Sequence, residues 1–256
     1  MKTVSIMNNK GGVGKTVTAI NLADILQRAG KRVVLVDCDG QANLTRFYTP
    51  DFDAAVNCST ADVLCGYGET VWSDNLLPIK PDLSILPGSS VLYELDLMRI
   101  KDNDESPRSF HDFCSAAAED GTCDYMIFDC PPGFTAASVA ALEASDYVVI
   151  PSTMDGFSFS GLLDMQMQIA NLRRAFAKTK IAGVLITQWR NTKAVKDAEH
   201  LMRSLNVHVF KQTIRRTEKV TESTLDRTPI VEYSPGSAAA KDYQFWVAEL
   251  LEVIGG

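Results

Sequence analysis

The sequence NNKGGVGKT occupies positions 8–16, between a short apolar run and a run with helical spacing. A strand, a glycine-rich turn and a helix in this order form a phosphate-binding loop. The three glycines let the backbone approach phosphate oxygens, and the helix N-terminus adds its positive dipole end. We expect Lys15 to reach the β- and γ-phosphates and Thr16 to ligate Mg²⁺ through its hydroxyl. The segment therefore predicts a site for a nucleoside triphosphate with Mg²⁺.

This loop departs from the usual pattern G-x-x-x-x-G-K-[ST], because Asn9 stands where the first glycine is expected. It also carries a second lysine, Lys10, in addition to the one that the pattern requires. The alternative interpretation is a glycine-rich turn that only begins a helix. Two lysines and a threonine, all suitably placed, favour the phosphate-binding interpretation.

Short apolar runs alternate with amphipathic runs along most of the chain. Continuous apolar character predicts strands of a parallel sheet that is covered on both faces. The predicted strands are Thr3–Met7, Arg32–Val36, Leu83–Leu86, Asp124–Phe128, Asp146–Ile150 and Ile181–Ile186. The predicted helices are Lys15–Ala29, Val91–Ile100, Thr135–Ala144, Leu162–Ala177, Ala194–Leu205 and Ser237–Val253, with a short helical piece near Thr60–Leu64 inside an irregular surface segment, Pro50–Pro81. This alternation predicts an α/β fold with a doubly wound, mostly parallel sheet and helices on both faces, in one domain over residues 1–256.

Carboxylates follow two of the predicted strands. Asp37 and Asp39 come directly after Arg32–Val36, and Asp129 follows Asp124–Phe128 and precedes two prolines. Carboxylates that end buried strands beside a phosphate site can hold a metal ion, through its bound water, or orient a water. Either signal alone is compatible with an ordinary loop, but both together with the glycine-rich segment indicate a hydrolytic site.

Composition favours a folded protein in a reducing compartment. Hydrophobic residues make up 46% of the chain, and no apolar run reaches the roughly 18–20 residues that cross a bilayer. The N-terminus lacks the pattern of a secretory signal, so we expect a cytoplasmic protein. Six cysteines show no C-x2-C spacing, which favours small buried side chains over disulfides or a metal site.

Charge is distributed unevenly along the chain. The formal net charge is −7, but the stretch from Arg173 to Lys219 holds twelve basic and three acidic residues, a net +9. The rest of the chain holds 13 basic and 29 acidic residues, a net −16. Such asymmetry predicts a basic face on an acidic protein, provided that the basic side chains share one surface.

Four separated motifs together resemble the ParA/MinD family of deviant Walker-motif ATPases. They are Lys10-Gly11-Gly12-Val13-Gly14-Lys15-Thr16, Asp37-Cys38-Asp39-Gly40-Gln41, Phe128-Asp129-Cys130-Pro131-Pro132, and a C-terminal set that runs from Ile214-Arg215-Arg216-Thr217 to Tyr233-Ser234-Pro235-Gly236-Ser237. The resemblance covers nearly the whole chain and implies a P-loop NTPase fold and an ATPase that uses ATP and Mg²⁺.

The resemblance also implies roles for individual residues. Lys10 matches the signature lysine that reaches the phosphates of a partner subunit in an isologous ATP-bound homodimer. Asp39 matches the aspartate linked to hydrolysis, and Asp129 the carboxylate that holds Mg²⁺ through water. The implied catalytic residues are Lys10, Lys15, Asp39 and Asp129, and the implied metal-site residues are Thr16, Asp39 and Asp129. The implied nucleotide-binding residues are Lys10, Gly11, Gly12, Val13, Gly14, Lys15, Thr16, Val17 and Arg216.

Three departures from the family pattern concern the nucleotide pocket and the DNA-contact surface. Val17 stands where a second threonine usually contacts the α-phosphate, and the adjacent Thr18 is a possible substitute. The family motif I-P-R-N reads Ile-Arg-Arg-Thr here, so Arg215 replaces proline. The usual S-E-A-P reads Thr-Glu-Ser-Thr at residues 221–224.

Sequence features distinguish among the branches of the family. The membrane branch uses a basic amphipathic C-terminal helix, whereas this chain ends in an acidic segment, Phe245–Gly256. The reductase branch uses cluster-ligating cysteines, and no suitable pair is evident. The +9 stretch favours the branch that binds DNA without sequence preference, so we expect a nucleoid-associated protein without a membrane partner. The candidate DNA contacts are Arg190, Lys193, Lys196, Arg215, Arg216 and Lys219.

Two functional hypotheses follow. The first is a partitioning ATPase in which Mg-ATP drives dimerisation and non-specific DNA binding, and slow hydrolysis, stimulated by a ParB-like DNA-binding adaptor, releases the DNA. The second is a positioning or regulatory switch of the ParA/MinD type that carries a protein cargo and has no DNA-segregation role. Non-specific DNA binding that depends on ATP separates the two.

Overall fold

A computed structural model describes residues 1–68, 71–102, 109–154, 167–168, 170–176 and 178–255. Within these residues, seven strands form one sheet in the order β3-β4-β2-β5-β1-β6-β7. The strands are β1 (Lys2–Ile6), β2 (Val33–Asp37), β3 (Leu77–Lys80), β4 (Leu83–Leu86), β5 (Tyr125–Asp129), β6 (Tyr147–Thr153) and β7 (Lys180–Thr187). All adjacent pairs are parallel except β3 with β4, which is antiparallel. The predicted mostly parallel sheet is confirmed.

All six strands predicted from apolar runs are present, and the structure adds β3 at one edge. β2 and β5 are buried along their whole length, as continuous apolar character requires. The segment Leu77–Lys80 escaped prediction because it contains Pro78, which lacks the N–H that a central strand donates. An edge strand tolerates that loss, because one of its sides has no neighbouring strand.

Helices cover both faces of the sheet. They are α1 (Lys15–Arg28), α2 (Asn43–Tyr48), α3 (Thr60–Cys65), α4 (Val91–Asp102), α5 (His111–Asp120), α6 (Ala136–Ala144), α7 (Lys193–Arg203), α8 (Glu218–Leu225), α9 (Ile230–Tyr233) and α10 (Ala238–Ile254). Prediction missed α2, α5, α8 and α9. The predicted helix Leu162–Ala177 lies partly outside the described residues, and residues 167–168 and 170–175 of it are helical. No helix in the described part of the chain has both the length and the apolar character needed to span a bilayer.

Alternate residues of the central strands face two separate cores. Leu35 and Ile127 pack in the core that contains residues of α1 and α10, including the buried Trp246. Val36 and Phe128, one position further along, pack in the opposite core with residues of α3 to α7. The two-residue period of a strand places these neighbours on opposite faces. The sheet is therefore doubly wound, and its crossovers bring loops from both sides to the carboxyl edge.

Candidate functional site

The phosphate-binding loop and both sets of carboxylates meet at the carboxyl edge of the sheet. The loop follows β1, and Asp37 and Asp129 end β2 and β5. These three strands are neighbours in the order β2-β5-β1. Asp37 is the register partner of Asp129, and Asp129 is also aligned with Ile6. Ligands of open α/β sheets bind in the crevice at this edge. The structure thus brings together residues that lie up to about 120 positions apart in the sequence.

The backbone of the loop requires glycine for conformational reasons. Gly12 has a φ of 72° and Gly14, the N-cap residue of α1, a φ of 86°. A Cβ atom at either position would meet no heavy atom within 4 Å, so space alone would permit other residues. The left-handed backbone is what favours glycine, and it turns the chain from β1 into α1. The predicted loop therefore has the strand–turn–helix context that its sequence indicated.

The two lysines of the loop occupy different environments. Lys15 is only 8% exposed, and its Nζ donates to the carbonyl oxygens of Asn8 and Lys10, both at 3.1 Å. Burial lowers the pKa of Lys15, and the negative charge of Asp129 partly opposes that shift. Lys10 lies on the exposed outer side of the same loop. One ammonium group therefore lies inside the loop, and the other is carried on the surface.

Asp129 is buried, and one of its oxygens has no hydrogen-bond partner within the described ranges of the chain. Burial raises the pKa of Asp129 well above its usual range, and nearby Asp37 adds to that shift, while a hydrogen bond from the Thr16 side chain opposes it. Its Oδ1 is one of three buried side-chain oxygen or nitrogen atoms without a hydrogen-bond partner among the described residues. An orphaned carboxylate oxygen beside a threonine hydroxyl fits Mg²⁺ and a metal-bound water, which are hard partners for oxygen ligands.

Asp37 and Asp39 differ in what they can offer a ligand. The Oδ2 of Asp37 accepts hydrogen bonds from the backbone N and Oγ1 of Thr45, at 2.8 and 2.7 Å, and its Oδ1 accepts one from the Asp39 N–H at 3.1 Å. Burial raises the pKa of Asp37 to about 6. Asp39 is half-buried, and its Oδ1 accepts from the Gln41 N–H at 2.8 Å. Asp37 thus shapes the loop, and Asp39 remains available to water.

Two residues that the sequence did not single out support this loop. The N–H of Gly88, after β4, donates to Thr45 Oγ1 at 2.8 Å. A Cβ atom at Gly88 would lie 2.8 Å from Cγ of Asp37, so only glycine fits against that carboxylate. The ring of Tyr93 on α4 lies so close to Gly40 that a Cβ there would be 2.8 Å from ring atoms. The signal in the sequence was a proline–glycine pair, Pro87-Gly88, directly after a strand.

A cavity of about 240 Å³ lies beside the loop at the start of α1. Val17 and Arg216, both predicted to bind nucleotide, line it together with Gly14, Thr221 and Tyr243. Thr18 is fully buried, with its hydroxyl 3.4 Å from the hydroxyl of Tyr243, which also lines the cavity.

The six candidate DNA contacts fall into two groups. Arg190, Lys193, Lys196 and Arg216 are exposed, and none of the ion pairs among the described residues involves them. Lys193 and Lys196 lie on the first turn of α7, which Thr192 caps.

The other two candidates already have partners within the chain. The guanidinium of Arg215 forms hydrogen bonds of 2.9 and 2.7 Å with Asp242, a buried residue of α10. Lys219 pairs with Glu222 at 2.6 Å and lies over the ring of Tyr233. Arg215 therefore has a structural role that its sequence context did not reveal.

Comparisons with known proteins agree with this geometry. The sequence model of a family described as an AAA domain matches residues 1–182. The sporulation initiation inhibitor protein Soj of Bacillus subtilis is 31% identical over 255 residues, which cover 94% of this chain and 95% of Soj. The chromosome partitioning protein ParA of Caulobacter vibrioides is 28% identical over 262 residues, which cover 95% of this chain and 91% of ParA.

Solved structures have the same fold. The septum site-determining protein MinD of Pyrococcus horikoshii, complexed with Mg-ADP, matches with a TM-score of 0.76 and 25% identity, over 99% of this chain and 97% of MinD. Apo McdA of Cyanothece matches with a TM-score of 0.82 and 21% identity, over 98% of this chain and 99% of McdA.

Proposed function

The chain belongs to the ParA/MinD family of P-loop ATPases, and we propose that it is a DNA-partitioning protein whose dimerisation and DNA binding are switched by Mg-ATP. Similarity to Soj and ParA over nearly the full chain supports this assignment. The observation that carries the proposal is the pair of lysines on one loop, with Lys15 buried inside it and Lys10 exposed outside it.

The nucleotide in this proposal is ATP with Mg²⁺. The loop N–H groups and Lys15 would hold the phosphates, and Thr16 would ligate the metal. Asp129 would hold a metal-bound water through its unpartnered oxygen. The base would enter the cavity lined by Val17 and Arg216. The metal neutralises charge on the phosphates when bound, and the protein residues position the nucleotide around it.

Dimerisation gives Lys10 its function. A loop that already has Lys15 gains little in its own site from a second lysine on its outer surface. In an isologous dimer the two loops face each other, and each Lys10 reaches the phosphates held by the partner subunit. Because its contribution requires both the triphosphate and a second subunit, the dimer forms only with ATP bound.

Hydrolysis resets the switch. Asp39 is half-buried beside the phosphate loop and would orient the attacking water, with Lys10, Lys15 and Asp129 completing the catalytic set. We propose that intrinsic turnover is slow and that a ParB-like adaptor accelerates it. Loss of the γ-phosphate would then separate the subunits.

The DNA-contact surface in this proposal consists mainly of Arg190, Lys193, Lys196 and Arg216. Trp189 and Arg215 form an isolated parallel β-bridge, which places the segments that carry Arg190 and Arg216 side by side. Dimerisation doubles this exposed positive charge, and phosphate attraction needs no base contacts. Lys219, on α8, is paired with Glu222 and contributes less to the net charge of this surface. We propose that the protein acts in the cytoplasm on nucleoid DNA.

A gel-shift assay tests the proposal with a non-specific duplex and the protein in ATP, ADP or no nucleotide. The proposal requires tight, salt-sensitive DNA binding in ATP and weak binding otherwise. Equal binding in all three conditions contradicts the nucleotide switch, and absence of binding in ATP favours the alternative of a switch that carries a protein cargo.

A further inference from the structure

The residue after β7 has an unfavourable backbone conformation. Gln188 has a φ of 52°, although it is neither glycine nor asparagine. The backbone of a residue with a long side chain rarely adopts this left-handed conformation unless surrounding contacts hold it there. The contact is specific, because Gln188 Nε2 donates to the carbonyl oxygen of Gly12 in the phosphate loop at 2.7 Å.

The preceding residue makes a parallel contact with the same loop. Thr187 Oγ1 donates to the carbonyl oxygen of Val13 at 2.8 Å. In a planar trans peptide, a carbonyl and the N–H of the next residue point in opposite directions. Holding the carbonyls of Gly12 and Val13 therefore fixes the directions of the Val13 and Gly14 N–H groups. Thr187, at the end of β7, and Gln188, directly after it, thus orient two backbone N–H groups of the phosphate-binding loop.

Trp189, the next residue, connects the segment after β7 to helix α7. Trp189 Nε1 donates to Oε2 of Glu199 on α7 at 2.8 Å. Glu199 is also paired with Arg203 at 2.8 Å, one turn further along α7. Helix α7 carries Lys193 and Lys196. The orientation of the Trp189 ring and the position of this helix are therefore linked by a hydrogen bond to a charged acceptor, which is stronger than a neutral one.

The backbone of Trp189 extends the connection to a second part of the basic surface. Its N–H donates to the Ile214 carbonyl at 2.9 Å, and its carbonyl accepts from the Arg216 N–H at 2.9 Å. A shift of the segment 188–189 would therefore move Arg216 as well as α7.

We propose that Gln188 and Trp189 couple the phosphate loop to the basic surface. When the loop closes on a triphosphate, the Gly12 carbonyl moves with its peptide plane, and Gln188 follows it. Trp189 then shifts Glu199 and α7, so that Lys193, Lys196 and Arg216 change position together. This coupling rests on the proposed function for its biological purpose, but the link itself is independent of DNA. Gln188 and Trp189 are positioning residues.

Hydrogen exchange of α7 measures the link without DNA. We expect a saturating non-hydrolysable ATP analogue with Mg²⁺ to change amide exchange in residues 193–203 of the natural protein. Trp189→Phe keeps an aromatic ring but loses the N–H, so the analogue should bind with unchanged affinity while the α7 response falls at least about fivefold. Gln188→Met should weaken analogue binding about fivefold and remove the response even at saturation.

Trp72→Phe is the matched control. Its indole also donates to a carboxylate, that of Asp120 at 3.2 Å, but it lies in a short 3-10 helix, Trp72–Asn75, before β3. This variant should keep the full α7 response. If Trp189→Phe does not fold, as judged by thermal melting, Glu199→Gln tests the same bond with a smaller change of shape.

Two outcomes overturn the coupling. One is that the analogue leaves amide exchange in α7 of the natural protein unchanged. The other is that folded Trp189→Phe or Glu199→Gln shows the full change in α7 exchange. DNA binding by the natural protein that is equal in ATP and ADP, together with an intact exchange response, would contradict the proposed function and leave the coupling standing.

Discussion

Asp37 and Asp129 are register partners at the ends of adjacent parallel strands, yet their carboxylates are bonded differently. Both oxygens of Asp37 accept hydrogen bonds, from Thr45 and from the Asp39 N–H. Asp129 retains a buried oxygen that has no hydrogen-bond partner in the part of the chain that the structure describes. Equivalent positions on two strands therefore differ in function: Asp37 stabilises a loop, and Asp129 has the role that we propose for it, holding a metal-bound water.

Thr45→Val tests the role of Asp37 in shaping its loop. The substitution keeps the volume but removes a donor to Asp37 and an acceptor for the Gly88 N–H, both buried. We expect the free energy of unfolding in urea to fall by about 1–3 kcal/mol. Thr213→Val is the control, because the hydroxyl of Thr213 takes part in none of the side-chain hydrogen bonds found in the described part of the chain. A loss no larger than that of the control would mean that these bonds contribute little.

Lys15→Ala and Lys10→Ala should separate the two lysines of the loop. Lys15→Ala should abolish ATP binding, because the buried ammonium group is lost from the phosphate site. Lys10→Ala should bind ATP nearly as the natural protein does but stay monomeric. Titration with a fluorescent ATP analogue measures the first effect, and light scattering the second. Retained ATP affinity in Lys15→Ala would discredit the assignment of the loop.

Asp39→Ala should trap the ATP-bound state. Removal of the half-buried carboxylate should lower ATP turnover at least about 100-fold, since positioned general bases contribute on that order. The variant should still dimerise with ATP and remain on DNA after the natural protein has dissociated. Phosphate release and DNA dissociation are the measurements. Normal turnover would remove Asp39 from the hydrolytic step.

Reversing charge on the basic surface should affect DNA binding alone. Lys193→Glu with Lys196→Glu should still dimerise with ATP, because neither lysine lines the proposed nucleotide cavity, but its DNA affinity should fall at least about tenfold at low salt. Lys31→Glu with Lys241→Glu is the control, because both lysines are exposed and lie outside the Arg173–Lys219 stretch. Unchanged DNA binding in the first variant would refute the basic-surface argument.

Arg215→Ala should act mainly on stability. It leaves the buried Asp242 carboxylate without its two guanidinium bonds, so we expect about 1–3 kcal/mol less resistance to urea unfolding. Arg190 is exposed and has no such partner among the residues that the structure describes, so Arg190→Ala should unfold like the natural protein. If both variants lose DNA binding equally and neither loses stability, Arg215 is a DNA contact after all.

Local patterns in the sequence were sufficient for most of the fold. β2 and β5 are continuous apolar runs, and each ends in a carboxylate at the site, so apolar character located both the strand and its functional end. α1 was predictable because the helical spacing of its apolar residues begins directly after the phosphate-binding loop. Short elements were harder, since α2 and α9 have six and four residues and contribute too few apolar positions to show a period.

These local patterns could not predict contacts between residues that are far apart in the sequence. Asp242 lies 27 residues from Arg215, and Gln188 lies 176 residues from Gly12. Counting charges therefore could not show that Arg215 pairs with Asp242, and no local pattern indicated that Gln188 contacts the glycine-rich loop. Such roles depend on which strand ends are neighbours, and strand order follows from the packing of the whole sheet.

Sedimentation velocity with Mg²⁺ and a non-hydrolysable ATP analogue tests most directly whether lysines from two subunits share one triphosphate. The natural protein should sediment as a dimer with the analogue and as a monomer with ADP, and Lys10→Ala should stay monomeric in both. A natural protein that remains monomeric with the analogue, at concentrations well above its nucleotide affinity, would contradict the shared site.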